Sequence, residues 1–280
     1  MPIKPLMRLL FALLGVQFLI PVHAAGAFDC LIEPTQNVDI GSPVVGLLDK
    51  VYVQRGDRVV KGQVIASLES RAETAAAALA HFKSEMVAPT ETAASKIEFS
   101  KKKFVRRGDM HANNFMSEQE KDEAESEMKL AEAEYKLAQE NKQMAKLEWQ
   151  QQSSLLNLRT IRSPLDGVVV DQLMYPGEIV EPSGQKKAIF KLAQLDPLRV
   201  RVILPMTMFG KIKLNMRVDV SPEFPIGGRY VGRVNVIDRL VDAASGTFGV
   251  YLVIANPKLD VPAGVKCRVE FPAIADSPKK

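Results

Sequence analysis

The sequence SPVVGLL at residues 42–48 recurs as SPLDGVV at residues 163–169, and each residue of the first copy lies 121 positions before its counterpart. The dipeptides Gly-Asp at 56–57 and Gly-Glu at 177–178 keep the same offset. In both copies the glycine inside the motif lies ten positions before the next glycine, a spacing that predicts strand, turn and strand. The sequence therefore predicts two β-rich halves that pack against one another. The glycines that punctuate them are Gly46, Gly56, Gly167 and Gly177.

A helical segment is predicted between the two halves. Residues 70–159 are rich in Ala, Glu, Lys, Gln and Leu, the composition of long helices. Ser-x-x-Glu sequences at Ser70 and Ser117 mark two helix starts within this segment. In such a capping box the serine accepts a hydrogen bond from the third helical amide, and the glutamate, here Glu73 or Glu120, reaches back to the amide of the serine. The segment is therefore expected to contain two helices that fold back as a hairpin.

Both arms of this hairpin carry apolar residues at heptad spacing. Leu130, Leu137 and Met144 recur every seven residues, each followed by an alanine, and Leu79 and Met86 keep the same interval in the first arm. This period predicts an antiparallel coiled coil. A second arm that starts after Ser117 and ends near residue 158 would be roughly 60 Å long at 1.5 Å per residue, so it is expected to project from the small β body.

The first arm contains one residue that disfavours a helix. Pro89 lacks an amide hydrogen and crowds the preceding turn, which predicts a kink or a restart of the helix at residues 87–91. Farther along the chain, the stretch from Gly108 to Phe115 is expected to form a lengthened turn between the two arms.

The composition argues against several classes of protein. The 280 residues carry 37 Lys and Arg against 33 Asp and Glu, and a net charge of +4 is too small to indicate a nucleic-acid-binding protein. The two cysteines, Cys30 and Cys267, are far apart, and no His or Cys pair has the spacing of zinc ligands. No local cluster of His, Cys and acidic residues indicates an active site. We therefore expect no metal site and no catalysis.

The N-terminus has the pattern of a secretory signal peptide, assigned to residues 1–24. Basic residues precede an apolar stretch at residues 9–20, and small residues precede a cleavage site after Ala24. The alternative is an uncleaved membrane anchor, but twelve helical residues cover roughly 18 Å of a hydrocarbon core that is about 30 Å thick. Export would place Cys30 and Cys267 where disulfides form, so that both a bridge and two buried free thiols are compatible with the sequence.

The order of these features resembles a known family. The two β-rich halves resemble the biotinyl/lipoyl carrier fold, but about ninety residues replace the hairpin whose lysine takes the cofactor in the carriers, so no cofactor is expected. A signal peptide, a split lipoyl-like domain, a helical hairpin and further short strands together resemble the HlyD-type periplasmic adaptors, also called membrane fusion proteins. The chain is similar to a short form of the efflux RND adaptor subunits, without a full membrane-proximal domain.

The resemblance implies an elongated α+β fold. A split lipoyl-like β domain would carry an inserted antiparallel α-helical coiled-coil hairpin and be followed by a β-barrel domain. Strands of this barrel are expected at residues 197–204, 217–221, 230–238, 248–254 and 266–271. The implied domains are the signal peptide at 1–24, an N-terminal strand joining the barrel at 25–39, the lipoyl-like halves at 40–69 and 160–194, the hairpin at 70–159, the barrel at 195–272 and a tail at 273–280.

The function implied by the resemblance is nonenzymatic. Such adaptors are periplasmic subunits of tripartite efflux or secretion complexes, and they form homo-oligomers, typically hexamers, that bridge an inner-membrane transporter to an outer-membrane channel. An RND-type transporter is preferred here, with an ABC transporter as the other option. The alternative function is a metal-binding adaptor that delivers soft metal ions to an efflux pump, with Met206, Met208 and Met216 as candidate ligands.

The resemblance also implies that the turn of the hairpin contacts the outer-membrane channel. The family carries an Arg, an apolar residue and a Ser before the second helix, and Ser117 matches this Ser, although it serves equally well as a helix cap. The basic residues before the turn can supply the Arg, or they can stabilise the end of the first helix through its dipole. The residues expected to contact the channel are Phe104, Arg106, Arg107, Phe115, Met116 and Ser117.

Overall fold

The computed structural model describes residues 27–183 and 188–272, which fall into two compact units. One unit comprises residues 35–196, and the other comprises the described residues up to Pro34 and from Pro197 onward. Two strands belong to both units, β1 (Ala27–Ile40) and β8 (Phe190–Pro205). The predicted signal peptide and tail lie outside the described residues.

The β part of the unit at residues 35–196 consists of short strands from both halves of the repeat. These strands are β2 (Gly46–Val51), β3 (Arg58–Val59), β4 (Val64–Leu68), β5 (Thr160–Arg162), β6 (Gly167–Gln172) and β7 (Ile179–Val180). One sheet has the order β5-β4-β2-β7, while β3 pairs with β6, and β6 pairs with the first residues of β8. All of these pairs are antiparallel.

The offset of 121 residues persists in the hydrogen bonds of this unit. The Gly56 amide donates to the Val169 carbonyl oxygen at 2.8 Å, and the Gly177 amide donates to the Leu48 carbonyl oxygen at the same distance. The amides of Leu48 and Val169 donate back to the residues that follow these two glycines. Both glycines have positive φ, 96° and 94°, which a side chain would strain. Each half of the repeat therefore completes the hydrogen bonding of the other.

The buried core of this unit also shows the offset of 121 residues. Leu48 and Val59 are buried in one half, as are their counterparts Val169 and Val180 in the other. Gly167 is required by a close approach of strands, because a Cβ atom there would lie 2.5 Å from the Ala193 carbonyl oxygen. Other large buried side chains of this core include Ile65, Leu68, Met174, Ile189, Phe190 and Leu192.

The segment between the halves forms three helices, α1 (Arg71–Glu85), α2 (Ala88–Ala112) and α3 (Glu118–Asn157). Both α1 and α2 pack along α3 and form the helical hairpin. The predicted restart of the first arm is confirmed, since α2 begins at Ala88 with Pro89 in its first turn, where the missing amide hydrogen costs no helical bond. Within the described part of the chain, no helix combines the length and the apolar character needed to cross a membrane.

The other unit is an antiparallel sheet that closes on itself. Its strands are β1, β8, β9 (Arg217–Pro222), β10 (Tyr230–Asp242), β11 (Thr247–Ile254) and β12 (Lys266–Glu270). They follow the order β1-β12-β9-β10-β11-β8, and β8 also pairs with β1. Alternate residues of β8 and β11 are buried, as expected for strands with one face toward the core. These buried residues include Val200, Val202, Leu204, Val250, Leu252 and Ile254.

The two cysteines join the first and last strands of this sheet. Cys30 on β1 lies directly opposite Cys267 on β12, and the two form a disulfide. Both residues are buried. Of the two alternatives left open by the sequence, the structure has the bridge, and it closes a separation of 237 residues along the chain.

Candidate functional site

The turn of the helical hairpin is formed by residues 113–117. The prediction of a turn over Gly108 to Phe115 is wrong in its first part, because α2 continues through residue 112. The helix is closed by Asn114, which has a positive φ of 62°. Its amide and that of Phe115 donate to carbonyl oxygens in the last turn of α2. This is the Schellman arrangement, which satisfies carbonyl groups that the end of a helix leaves without partners.

Ser117 begins α3 with both hydrogen bonds of a capping box. Its hydroxyl oxygen accepts from the Glu120 amide at 3.3 Å, and the Glu120 carboxylate accepts from the Ser117 amide at 3.1 Å. The bond from the Ser117 amide, followed by the bond from its hydroxyl group, holds the pKa of the Glu120 carboxyl below its usual range. The Arg107 guanidinium donates to the Glu120 carbonyl oxygen at 3.1 Å. The end of the first arm is thereby attached to the start of the second.

The six residues expected at the turn lie in different surroundings. Phe115 is 80% exposed. Arg106 is exposed on α2, whereas Phe104 is half-buried farther from the turn. The remaining three take part in hydrogen bonds within the hairpin: Arg107, Met116 and Ser117. The turn therefore presents the ring of Phe115 to solvent on a backbone that is fixed from both sides.

The predicted cap at Ser70 is wrong. The Ser70 side chain makes no capping hydrogen bond, and the carboxylate of Glu69 accepts from the first helical amide at 3.1 Å instead. Glu73, the other half of the predicted box, forms an ion pair with Arg159. The Arg159 guanidinium also donates to the Val45 carbonyl oxygen at 2.9 Å. The Glu69 carboxylate thus replaces the serine as the acceptor, and Glu73 pairs with a residue at the end of the second arm instead of completing a local box.

The buried positions between the two arms are occupied by small side chains. Leu130, Leu137 and Met144, which the heptad period singled out, are more than half exposed. The alanines that follow them in sequence occupy the seam instead, and Ala131 is completely buried. Small residues at a helix contact allow the two axes to approach closely. The buried residues of the three helices are Ala77, Ala80, Ser84 and Ser100 in the first arm and Ala124 and Ala131 in α3, and Ala138 and Ala145 are half-buried.

Ion pairs connect the two arms along their length. Lys83 lies 3.5 Å from Glu148 at one end of the hairpin, and Lys103 lies 2.5 Å from Glu127 near the turn. Between them lie the pairs Lys96–Glu134 and Lys101–Glu132, at 2.5 and 3.3 Å. In each pair the cation is on the first arm and the acid is on α3. The hydrogen bond from Lys103 holds the pKa of the Glu127 carboxyl below its usual range.

The candidate metal ligands lie in the closed-sheet unit. Met206 and Met208 belong to a single turn of 3-10 helix after β8, and Met216 directly precedes β9. Over residues 27–183 and 188–272, no group of three His, Cys, Asp or Glu side chains is arranged to hold a metal ion. The helical hairpin and its turn are therefore the candidate functional site among the described residues.

A family model for the CzcB-like barrel-sandwich hybrid domain matches residues 36–194, which include both halves of the repeat and the hairpin. The chain is 22% identical over 207 residues to the pyoverdine export membrane fusion protein PvdR of Pseudomonas aeruginosa, covering 74% of this chain and 53% of that protein. It is 24% identical over 202 residues to the macrolide export protein MacA of Yersinia pestis, covering 72% and 54%. The chain thus spans about half the length of these relatives.

Solved structures show the same fold. A MacA structure from Actinobacillus actinomycetemcomitans superposes with a TM-score of 0.69 at 20% identity, over 88% of this chain and 78% of that one. The membrane fusion protein Spr0693 of Streptococcus pneumoniae R6 gives a TM-score of 0.61 at 15% identity, over 88% and 98%. With a barrel-sandwich hybrid domain over more than half of its length, the chain belongs to the membrane fusion proteins, the family of periplasmic adaptors.

Proposed function

We propose that the chain is a periplasmic adaptor subunit of a tripartite efflux or secretion complex. In this role, several copies connect an inner-membrane transporter to an outer-membrane channel, and an RND-type transporter is preferred to an ABC transporter. The names of two relatives, which are export proteins for pyoverdine and for macrolides, support a role in export. Delivery by a cleaved signal peptide at residues 1–24 is part of the proposal.

The observation that carries the proposal is the construction of the hairpin. An α-helix of 40 residues, about 60 Å long at 1.5 Å per residue, is anchored in a small β body whose two halves complete each other's hydrogen bonds. Both ends of the inserted segment return to this body, so the arm has a fixed base and a free turn. Such an arm provides reach, which is what a subunit that spans between two membrane proteins needs.

The turn is the part of the arm that we propose meets the channel. Phe115 is almost fully exposed there, and exposed aromatic side chains are effective anchors when they enter a pocket of a partner. The Schellman end of α2 and the capping box of α3 hold the backbone on both sides of it. Arg106 is exposed on α2, about two helical turns before the turn of the hairpin, and can pair with an acidic group of the partner.

Site-specific photo-crosslinking in intact envelopes tests the proposal. A photoreactive amino acid at position 115 should capture an outer-membrane channel, which mass spectrometry of the crosslinked band identifies. The matched control is position 136 on α3, where Lys136 is exposed but distant from the turn. Capture of the same partners from both positions would contradict a role for the turn, and the recovery of no envelope transporter or channel from any position of the chain would contradict the adaptor function.

A further inference from the structure

The chain that leads from the end of β8 to the first residue of β9, residues 206–217, contains no acidic residue. It reads MTMFGKIKLNMR, and its three basic side chains are exposed. Three of its large apolar side chains are exposed as well. We call residues 206–217 the crossing segment. Its exposed basic residues are Lys211, Lys213 and Arg217, and its exposed apolar residues are Met206, Phe209 and Leu214.

The crossing segment is fixed to the sheet at both of its ends. In the sheet β10 and β11 separate β8 from β9, so the segment passes across these two strands. The Met206 amide donates to the Gly246 carbonyl oxygen at 2.9 Å, and the Asn215 amide donates to the Val234 carbonyl oxygen at 2.8 Å. Between these two bonds the side chain of Ile212 is buried. The backbone that carries the exposed side chains is therefore held in place by the sheet.

The end of the β10–β11 hairpin lies beside the crossing segment. The ring of Phe209 packs edge-on against the ring of Phe248 on β11, with 5.2 Å between the centroids, and Phe248 lies opposite Val241 on β10. The two residues before Val241 are Arg239, which is exposed, and Leu240, which is almost fully exposed. A basic and a large apolar side chain of the hairpin thus add to those of the crossing segment.

Basic residues outnumber acidic residues at this end of the unit, which is formed by residues 206–217 and 238–246. It has four basic residues, and its two acids are Asp238 and Asp242. The Asp242 carboxylate accepts a hydrogen bond from the Ala244 amide at 2.9 Å, so it is engaged within the hairpin turn. At the other end of the strands, the loops at residues 223–229 and 255–265 each carry one basic and one acidic residue. The first end thus has an excess of positive charge that the loops at the other end lack.

We infer that the end of the closed-sheet unit at residues 206–217 and 238–246 docks on the surface of an anionic phospholipid membrane. Exposed apolar side chains leave water when they enter the boundary between lipid headgroups and acyl chains, and basic side chains beside them are attracted by the lipid phosphates. This end of the unit combines both kinds of side chain. Because the sheet already holds the backbone, docking costs little conformational entropy.

The inference goes beyond the proposed adaptor function, because the contact requires neither a transporter nor a channel. It assigns the chain a contact with the lipid itself, in addition to contacts with membrane proteins. A chain that binds lipid vesicles but captures no export partner would refute the adaptor function alone. A chain that captures those partners without binding vesicles would refute the lipid contact alone.

Co-sedimentation of the purified chain with vesicles tests the contact. Vesicles of phosphatidylglycerol and phosphatidylcholine should bind the chain, and vesicles of phosphatidylcholine alone should bind it much less. Lys211→Gln with Lys213→Gln should weaken binding to the anionic vesicles about tenfold or more, because each basic residue near such a surface adds to the attraction. All variants are compared in the same processed form, so that residues 1–24 do not distinguish them. The absence of binding to the anionic vesicles would overturn the inference and favour a protein as the partner of this surface.

The matched control removes the same charge from the other end of the strands. Lys258→Gln with Lys266→Gln changes the net charge equally, in the loop before β12 and at the first residue of β12. We expect this variant to bind the anionic vesicles as the unmodified chain does. An equal loss of binding in both double variants would show that binding follows the total charge, and it would overturn the assignment of the contact to residues 206–217 and 238–246.

A fluorescent label reports which end of the unit meets the lipid. Leu240→Cys and Phe224→Cys, at opposite ends of the sheet, replace side chains that are 88% and 95% exposed, so neither removes a buried contact. Cys30 and Cys267 are bonded to each other, so the new thiol alone takes a polarity-sensitive nitrobenzoxadiazole label. Anionic vesicles should shift the emission of the label at position 240 to shorter wavelength and leave that at position 224 unchanged. No shift at position 240, or an equal shift at position 224, would overturn the inference.

Discussion

Arg159 and Glu73 form an ion pair that joins the end of α3 to the first turn of α1. The two side chains are 22% and 24% exposed, so the pair is largely withdrawn from solvent. The same guanidinium donates to the Val45 carbonyl oxygen, just before β2. One side chain therefore connects both ends of the helical hairpin with the first half of the β repeat.

Replacing this arginine should weaken the base of the hairpin. We expect Arg159→Ala to lower the free energy of unfolding by about 1–3 kcal/mol, since it leaves the Glu73 carboxylate and a carbonyl oxygen without their partner. The single tryptophan, Trp149 in α3, packs against the ring of His81 and reports unfolding of the arm by fluorescence in urea. Arg71→Ala is the matched control, because Arg71 pairs with Glu69 while 94% exposed, and it should change the stability much less than Arg159→Ala does. Equal effects of the two variants would show that Arg159 does not hold the base.

Because of the alanine seam, we expect different effects of leucine at two positions of α3 that are only two residues apart. Ala131→Leu should destabilise the hairpin by about 1–3 kcal/mol, because the larger side chain has no room between the closely packed arms. Ala133→Leu lies on the exposed side of α3, and it should leave the stability of the isolated chain nearly unchanged. Urea denaturation followed by helical circular dichroism compares the two. A well-tolerated leucine at position 131 would contradict the seam.

Gly108 lies inside α2 with open space around its Cα hydrogen atoms. Gly108→Ala should therefore raise the free energy of unfolding by about 0.5–1 kcal/mol, because alanine loses less backbone entropy in a helix. At Gly56, which has a φ of 96°, the same substitution should destabilise by about 1 kcal/mol or more. Thermal unfolding measures both changes. Destabilisation at position 108 would indicate that the helix ends earlier, as the sequence alone predicted.

The capping box at the turn should respond to acid. The pKa of the folded Glu120 carboxyl is lowered by its bonds from Ser117, so its contribution to stability is complete above the ordinary glutamate pKa and is lost as the pH falls through the lowered value. The protection factors of the amides in the first turn of α3, which correct the exchange rates for their intrinsic pH dependence, should fall over that acidic range. In Glu120→Gln the amide can keep a capping bond without titrating, and exchange there should lose this part of its pH dependence. Unchanged pH dependence in the glutamine variant would refute the assignment.

Reduction of the disulfide should affect the closed-sheet unit. Without the bond between Cys30 and Cys267, we expect a loss of about 2–5 kcal/mol in unfolding free energy, since a long loop of the unfolded chain is no longer closed. Thermal unfolding with and without reductant measures the loss. The double variant Cys30→Ala with Cys267→Ala should be insensitive to reductant, and a wild-type chain that is equally insensitive would show that the bond contributes nothing.

The sequence predicted the architecture of the repeat well, because its determinants are local. The turns at Gly56 and Gly177 require a positive φ, which glycine adopts without strain. The constant offset of 121 residues identified the two halves of the repeat from the sequence alone. The break before Pro89 follows from proline chemistry in the same local way. The closing Asn113-Asn114 pair carried a local signal for the end of α2 as well, since asparagine tolerates positive φ.

The features that the sequence did not predict depend on distant partners. A heptad period gives the spacing of a row but not which of two adjacent rows meets the other helix, so Leu130 and Ala131 were equally compatible with it. At the start of α1, the sequence Ser-x-x-Glu matched a capping box, yet Glu73 is engaged by Arg159 from 86 residues away. Neither outcome can be read from a window of neighbouring residues.

Because α3 is long, the position of the turn depends on how rigidly the base of the hairpin is held. Over about 60 Å, a rotation of one degree at the base displaces the far end by about 1 Å. A rotation of a few degrees at the base, around Arg159, would therefore move Phe115 by a few ångströms, although every contact at the turn would stay intact. The position of the turn is therefore determined by the contacts at the base of the hairpin, at the opposite end of α3.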